Sequence, residues 1–164
     1  MLTATDLARL QAEQYRHDQR NHFDIICLPK EDRLKHYGLH FAKYVGRLAR
    51  TDETKSRART LTDTALVCLS AANTLHLRLD QQSFASGLAK QIDPIRPLAD
   101  AAGRFADACE KIDHLEDFLP LARQANIDVL QWVLSTAFEQ SLDLNKLISE
   151  RRRELAERQF YIRD

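Results

Sequence analysis

The chain has 164 residues, and its 24 Lys and Arg are balanced by 24 Asp and Glu, so the formal net charge is zero. A chain of this length buries a core as one domain without disulfide or metal staples, and neutral balance weighs against work that consists mainly of gripping nucleic acid or an anionic membrane surface. With only 4 Gly and 4 Pro, and no apolar run near the ~20 residues that span a bilayer, the composition is that of a helical protein.

The opening stretch MLTATDLARLQAEQYR reads as an amphipathic helix rather than a signal peptide. Thr3 or Thr5 caps it, and it runs to about Cys27, where Pro29 ends it. A second helix covers roughly Glu31 to Arg50, with Leu34, Tyr37, Phe41, Tyr44, Val45 and Leu48 on one face. The polar stretch TDETKSR connects it to a third helix, about Leu61 to Leu77, which is apolar nearly all round and therefore central. Residues 81–91 form a short helix, and Pro94 and Pro97 punctuate the midpoint. A long helix follows from about Pro97 to Phe118, with Leu98, Ala102, Phe105, Cys109, Ile112 and Leu119 inward. Pro120 breaks it. Ile127 to Ser141 is a second all-round apolar helix, and a charged helix runs from Asp143 or Leu144 to near Tyr161. No strand-like alternation occurs, so the class is all-α: a helical bundle of about six to seven helices. Cys27, Cys68 and Cys109 sit among apolar neighbours without a CxxC, as reduced core residues of a cytosolic protein do.

The chain also repeats itself. DTALVCLSAANTLHLRL, from Asp63, lies over DVLQWVLSTAFEQSLDL, from Asp128, without a gap. Leu69 and Leu134, Ser70 and Ser135, Ala72 and Ala137, Leu77 and Leu142 then coincide. Each copy follows a helix with a Gly, Phe and Ala in close order, at Gly38–Ala42 and Gly103–Ala106. The expectation is two duplicated helical halves, 31–80 and 97–145, folded face to face with a site between them. Such halves commonly associate further, so a homodimer is expected.

Two sets of charged residues carry the chemical expectations. On the fifth helix Asp107, Glu110, His114 and Asp117 form a polar stripe, whereas Asp113 borders the apolar face and Glu116 falls inside it. A core-facing carboxylate is costly unless paired, protonated or bound to a cation. Asp113 and Glu116 lie three apart, a spacing that suits a shared Mg²⁺. The bland alternative is that Glu116 pairs with an arginine, or that the helix ends early and leaves it wet. On the second helix His36, His40, Lys43 and Arg47 form a basic stripe able to receive a phosphate chain. That stripe equally suits pairing with the acidic one, and His36 and His40 suit zinc if a third ligand exists. Asp63 and Asp128, each near the start of a buried helix, suit the helix dipole as well as a ligand role.

LTDTALVCLSAANTLHLRL and NIDVLQWVLSTAFEQSLDLNKLISERRRELAERQF resemble the Asp-led apolar helix, short turn and charged last helix of the MazG-like, all-α nucleoside triphosphate pyrophosphohydrolases. The resemblance covers about half the chain. It implies Mg²⁺ held by Asp113, Glu116 and Asp128, with Glu110 as a spare ligand or as the base that orients water. It also implies phosphate contacts from Arg151 and Arg158, joined by Lys43 and His40, and release of pyrophosphate from a nucleoside triphosphate. The family's Glu-x-x-Glu and Glu-x-x-Asp pairs are not intact. The first half reads His40-x-x-Lys43 and Thr60-x-x-Asp63, the second Asp113-x-x-Glu116 or Glu110-x-x-Asp113, then Ala125-x-x-Asp128. A decayed ligand set on a retained fold, giving a non-catalytic module for a nucleotide or a protein, is the alternative.

Overall fold

The computed structural model describes residues 2–50, 52–85 and 93–157. Among these the chain forms α1 (Ala4–Asn21), α2 (Phe23–Ile26), α3 (Lys30–Ala49), α4 (Arg57–Thr74), α5 (Arg96–Asp113), α6 (Leu119–Glu139) and α7 (Leu144–Ala156), with a 3₁₀ turn at Leu79–Gln81. The class is the all-α bundle expected from the sequence. Two antiparallel pairs make the centre: α3 packs on α4, α5 on α6, and the pairs meet α3 to α5 and α4 to α6. Outside them, α1 and α7 both lie on α4.

The two central helices are those whose sequences are apolar all round. α4 buries Leu61, Ala65, Leu66, Cys68, Leu69 and Ala72, and α6 buries Ala125, Val129, Leu130, Val133 and Leu134. Phe41 and Phe105, both wholly buried, meet edge to face at the α3–α5 seam with centroids 5.1 Å apart, a favoured aromatic geometry. These are the two phenylalanines of the repeated Gly–Phe–Ala pattern.

The two pairs also end alike. After α4, His76 adopts a left-handed φ of 49°, and after α6 Ser141 does so at 53°. Leu77 N–H then donates to the Ala72 carbonyl (2.9 Å), and Leu142 N–H donates to the Ala137 carbonyl (2.8 Å). This is the six-to-one hydrogen bond of a Schellman cap, made at matching positions of the aligned segments. Arg123 ties the halves together by donating from Nε and Nη2 to the Leu75 carbonyl, at 3.1 and 2.9 Å.

Several helix ends differ from the sequence reading. The first helix stops at Asn21, and His22 (φ −136°) starts the short α2. Pro120 opens α6 within its first turn, where its missing N–H costs nothing, instead of ending α5. The long fifth helix ends at Asp113 in a third Schellman cap: Leu115 has φ 58°, and Glu116 N–H donates to the Lys111 carbonyl (2.9 Å). Leu115 is 95% exposed, so nothing offsets the cost of a branched residue in the left-handed region. Leu115→Gly should therefore stabilise the fold by about 1 kcal/mol in urea denaturation. Of the short helix expected over 81–91, residues 82–85 are non-helical and the remainder lies outside the described residues. Cys68 and Cys109 are buried, but Cys27, placed in the core by the sequence reading, is exposed, because it follows α2 on the outside of the bundle.

Candidate functional site

The carboxylates expected to share a metal are not gathered. Ending α5 at Asp113 carries Glu116 into the exposed turn, where it pairs with Lys111 Nζ at 2.7 Å. That hydrogen bond holds its carboxyl below the usual range. Asp113 is likewise exposed and meets Lys35 Nζ at 2.6 Å. Asp128 pairs with Arg104 Nη2 at 2.8 Å and accepts from Gln124 Nε2 at 2.9 Å. Glu110 is exposed on α5. Each of the three proposed metal ligands thus has its own cation, and among the described residues no three His, Cys, Asp or Glu stand together as a metal-holding group. These residues do not fit Mg²⁺. The core-facing position assigned to Glu116 assumed a helix that continued past Asp113. No Gly or Asn marks the stop, which is why the sequence hid it.

The basic stripe of α3 has a different fate. His36, His40, Lys43 and Arg47 recur on one helical face and form one wall of a cavity of about 370 Å³, within the usual range for a small-molecule site. They do not pair with the acidic stripe of α5. The opposite wall is α4, with Arg59, Asp63, Leu66 and Ser70. α1 contributes Gln14 and Asp18, α2 contributes Ile25 and Ile26, and α7 contributes Arg151. Because α3 and α4 run antiparallel, Arg47 near the end of α3 meets Asp63 near the start of α4, while Tyr37 meets Thr74 farther along (3.4 Å).

At the Asp63 end the charge is unbalanced. Arg151 Nε donates to Asp63 Oδ1 at 2.7 Å, with Arg59 Nε at 3.5 Å and Arg47 Nη1 at 3.6 Å. Glu154 takes second contacts from Arg59 and Arg151, at 2.9 and 3.1 Å. Lys43 and Lys55 line the same space. Five cations therefore face one cavity carboxylate and one rim carboxylate. Arg47 Nη1 and Arg59 Nε are buried and reach Asp63 only at ion-pair range, without hydrogen-bond geometry. Buried donors held this loosely leave room for a second anion.

The remaining electrostatics agree. Lys43 is held below the ordinary lysine pKa, first by burial and then by Arg47. Its ammonium lies 3.0 Å from His40 Nδ1, and an ammonium can only donate. Nδ1 is therefore the acceptor, and neutral His40 carries its proton on Nε2. Burial, then Lys43 and His36, lowers the His40 pKa to about 3. The neighbouring His36, its ring tilted by 55° with centroids 4.6 Å apart, is also lowered, mainly by burial.

Of the expected phosphate contacts, His40, Lys43 and Arg151 thus share the cavity, and Arg158 lies outside the described residues. Arg59 and the Gln14–Asp18–Ser70 group were not anticipated. A signal existed for the latter: Gln14, His17 and Asp18 continue the buried stripe begun by Leu7 and Leu10. In the second half the corresponding Asp128 is held by Arg104 at the surface instead. No family model, curated protein or solved structure matches the chain.

Proposed function

We propose that this protein binds a nucleoside triphosphate in the cavity between α1, α3, α4 and α7, as a MazG-like module whose metal-ligand set has been replaced by cationic side chains. The observation that supports it is the excess of buried cation around Asp63, where two of the three guanidiniums reach the carboxylate only at 3.5 and 3.6 Å, without hydrogen-bond geometry. In the resemblance, His40-x-x-Lys43 and Thr60-x-x-Asp63 stand where the family places Mg²⁺-binding carboxylates. Here Lys43, Arg47, Arg59 and Arg151 neutralise the phosphates directly, and His40 adds an N–H donor. Asp63, engaged by three guanidiniums, orients them and is unsuited to activating water. The module therefore holds its nucleotide without cutting it.

The test pairs binding with turnover. Adenosine triphosphate in excess EDTA should raise the melting temperature, with about 2.7 kcal/mol gained at a hundred times Kd. Addition of Mg²⁺ should release no pyrophosphate. Release of pyrophosphate that disappears in Glu116→Gln would instead favour an active pyrophosphohydrolase on the second half.

A further inference from the structure

The cavity has two chemically different ends. Asp63 and Ser70 occupy one face of α4 two turns apart, about 10 Å along the axis. The Asp63 end is cationic. The Ser70 end is walled by His36, Tyr37, Ile25 and Ile26 and contains a carboxylate, Asp18. That carboxylate is only 5% exposed. It accepts hydrogen bonds from Ser70 Oγ (2.6 Å) and Gln14 Nε2 (2.8 Å). Gln14 is oriented in turn by Arg152, whose Nε donates to Gln14 Oε1 at 2.9 Å. No Lys or Arg among the described residues forms a salt bridge with Asp18; Arg152 gives its other donors to Glu13 and the Leu10 carbonyl.

A carboxylate offers about four acceptor positions, and two on Asp18 are taken. A buried carboxylate without an ion partner is costly. Burial accordingly pushes the Asp18 pKa up, against the lowering effects of the Ser70 hydrogen bond, His22, the Gln14 hydrogen bond and Arg152. The remaining acceptor positions border a space walled by flat and apolar side chains.

We infer that Asp18 selects the ligand: it accepts a hydrogen bond from an N–H on the base of a bound nucleotide whose phosphates lie two helical turns away at Lys43, Arg47 and Arg59. This rests on the nucleotide reading and adds what that reading leaves open, the choice of base. The planar ring lies among His36, Tyr37 and Ile25. Gln14 and Ser70 position the carboxylate, and a base without an N–H leaves it unmatched.

Calorimetric titration in EDTA tests this with five probes: adenosine, guanosine and cytidine triphosphates, purine riboside triphosphate, which lacks both exocyclic amine and ring N–H, and inorganic triphosphate. At least one N–H-bearing base should bind about tenfold or more tightly than purine riboside triphosphate. Asp18→Ala, which removes the acceptor, should erase that preference while leaving the affinity for inorganic triphosphate unchanged. Equal binding of all four nucleotides to the wild-type protein overturns the assignment, whether or not the variant folds, and so does a preference that survives Asp18→Ala. If inorganic triphosphate binds but the bases are not distinguished, only the role of Asp18 falls. If no probe binds, the nucleotide reading falls with it.

Discussion

Asp63→Asn should destabilise the ligand-free protein by about 3 kcal/mol or more. Asp63 is 11% exposed and faces Arg151, Arg47 and Arg59, of which Arg151 and Arg47 are similarly covered. Removing one partner from a buried ion cluster leaves uncompensated charge, which typically costs about 3–5 kcal/mol. Asparagine keeps the shape and one acceptor, so the loss reads out charge rather than packing. The same substitution removes the carboxylate that competes with an incoming anion for three guanidiniums. Triphosphate should therefore bind Asp63→Asn more tightly than wild type and restore most of the lost stability. Urea denaturation with and without triphosphate measures both effects. A cost under about 1 kcal/mol, unaltered by the anion, would mean that water already screens the cluster.

Acidification should weaken the fold well above the pH at which carboxylates protonate. Burial holds the His17 pKa down to about 4, with His22 and Arg152 adding to it, and holds that of His40 near 3. In the unfolded chain both histidines titrate near 6.5. Below that pH the unfolded state binds more protons than the folded one, so stability falls as pH falls. Each histidine contributes up to about 1.4 kcal/mol per pH unit, down to its folded pKa. Asp18, whose folded pKa is raised, acts in the opposite sense as pH falls toward its unfolded pKa, and partly offsets the loss. As pH falls from 7 to 5 the slope should steepen from well under one proton toward two or more for the wild type, with His36, also lowered, adding to His17 and His40, and should be up to about one proton smaller near pH 5 for His40→Gln. Bound triphosphate adds negative charge beside His40, which Lys43, Arg47, His36 and His22 otherwise discourage from protonating. Binding should therefore take up protons and tighten as pH falls, and an affinity flat across this range would separate His40 from the ligand.

Much of the architecture could be read from side-chain periodicity. The all-round apolar character of α4 and α6 marked the two central helices, whereas the matching caps at His76 and Ser141 were not anticipated from the aligned segments beginning at Asp63 and Asp128. Helix ends were harder, because three of them use His, Leu or Ser where Gly is the familiar signal. One such end decided the site: the cap at Leu115 moved Glu116 from the apolar face into solvent. The stripe His36, His40, Lys43 and Arg47 was visible on α3, but what it faces depends on where α1 and α7 dock. Arg151 reaches Asp63 across 88 positions of sequence, and Ser70 reaches Asp18 across 52. Helical spacing carries no information about contacts of that range.

The central claim is that cationic side chains, without a divalent metal, bind a polyphosphate in this cavity. Calorimetric titration of inorganic triphosphate into the protein in EDTA tests it most directly. The expected result is saturable one-site binding, weakened about a hundredfold in the Lys43→Ala, Arg47→Ala double variant, as the loss of two charge-assisted contacts implies. Absence of binding in EDTA, or binding that appears only when Mg²⁺ is added, would contradict it.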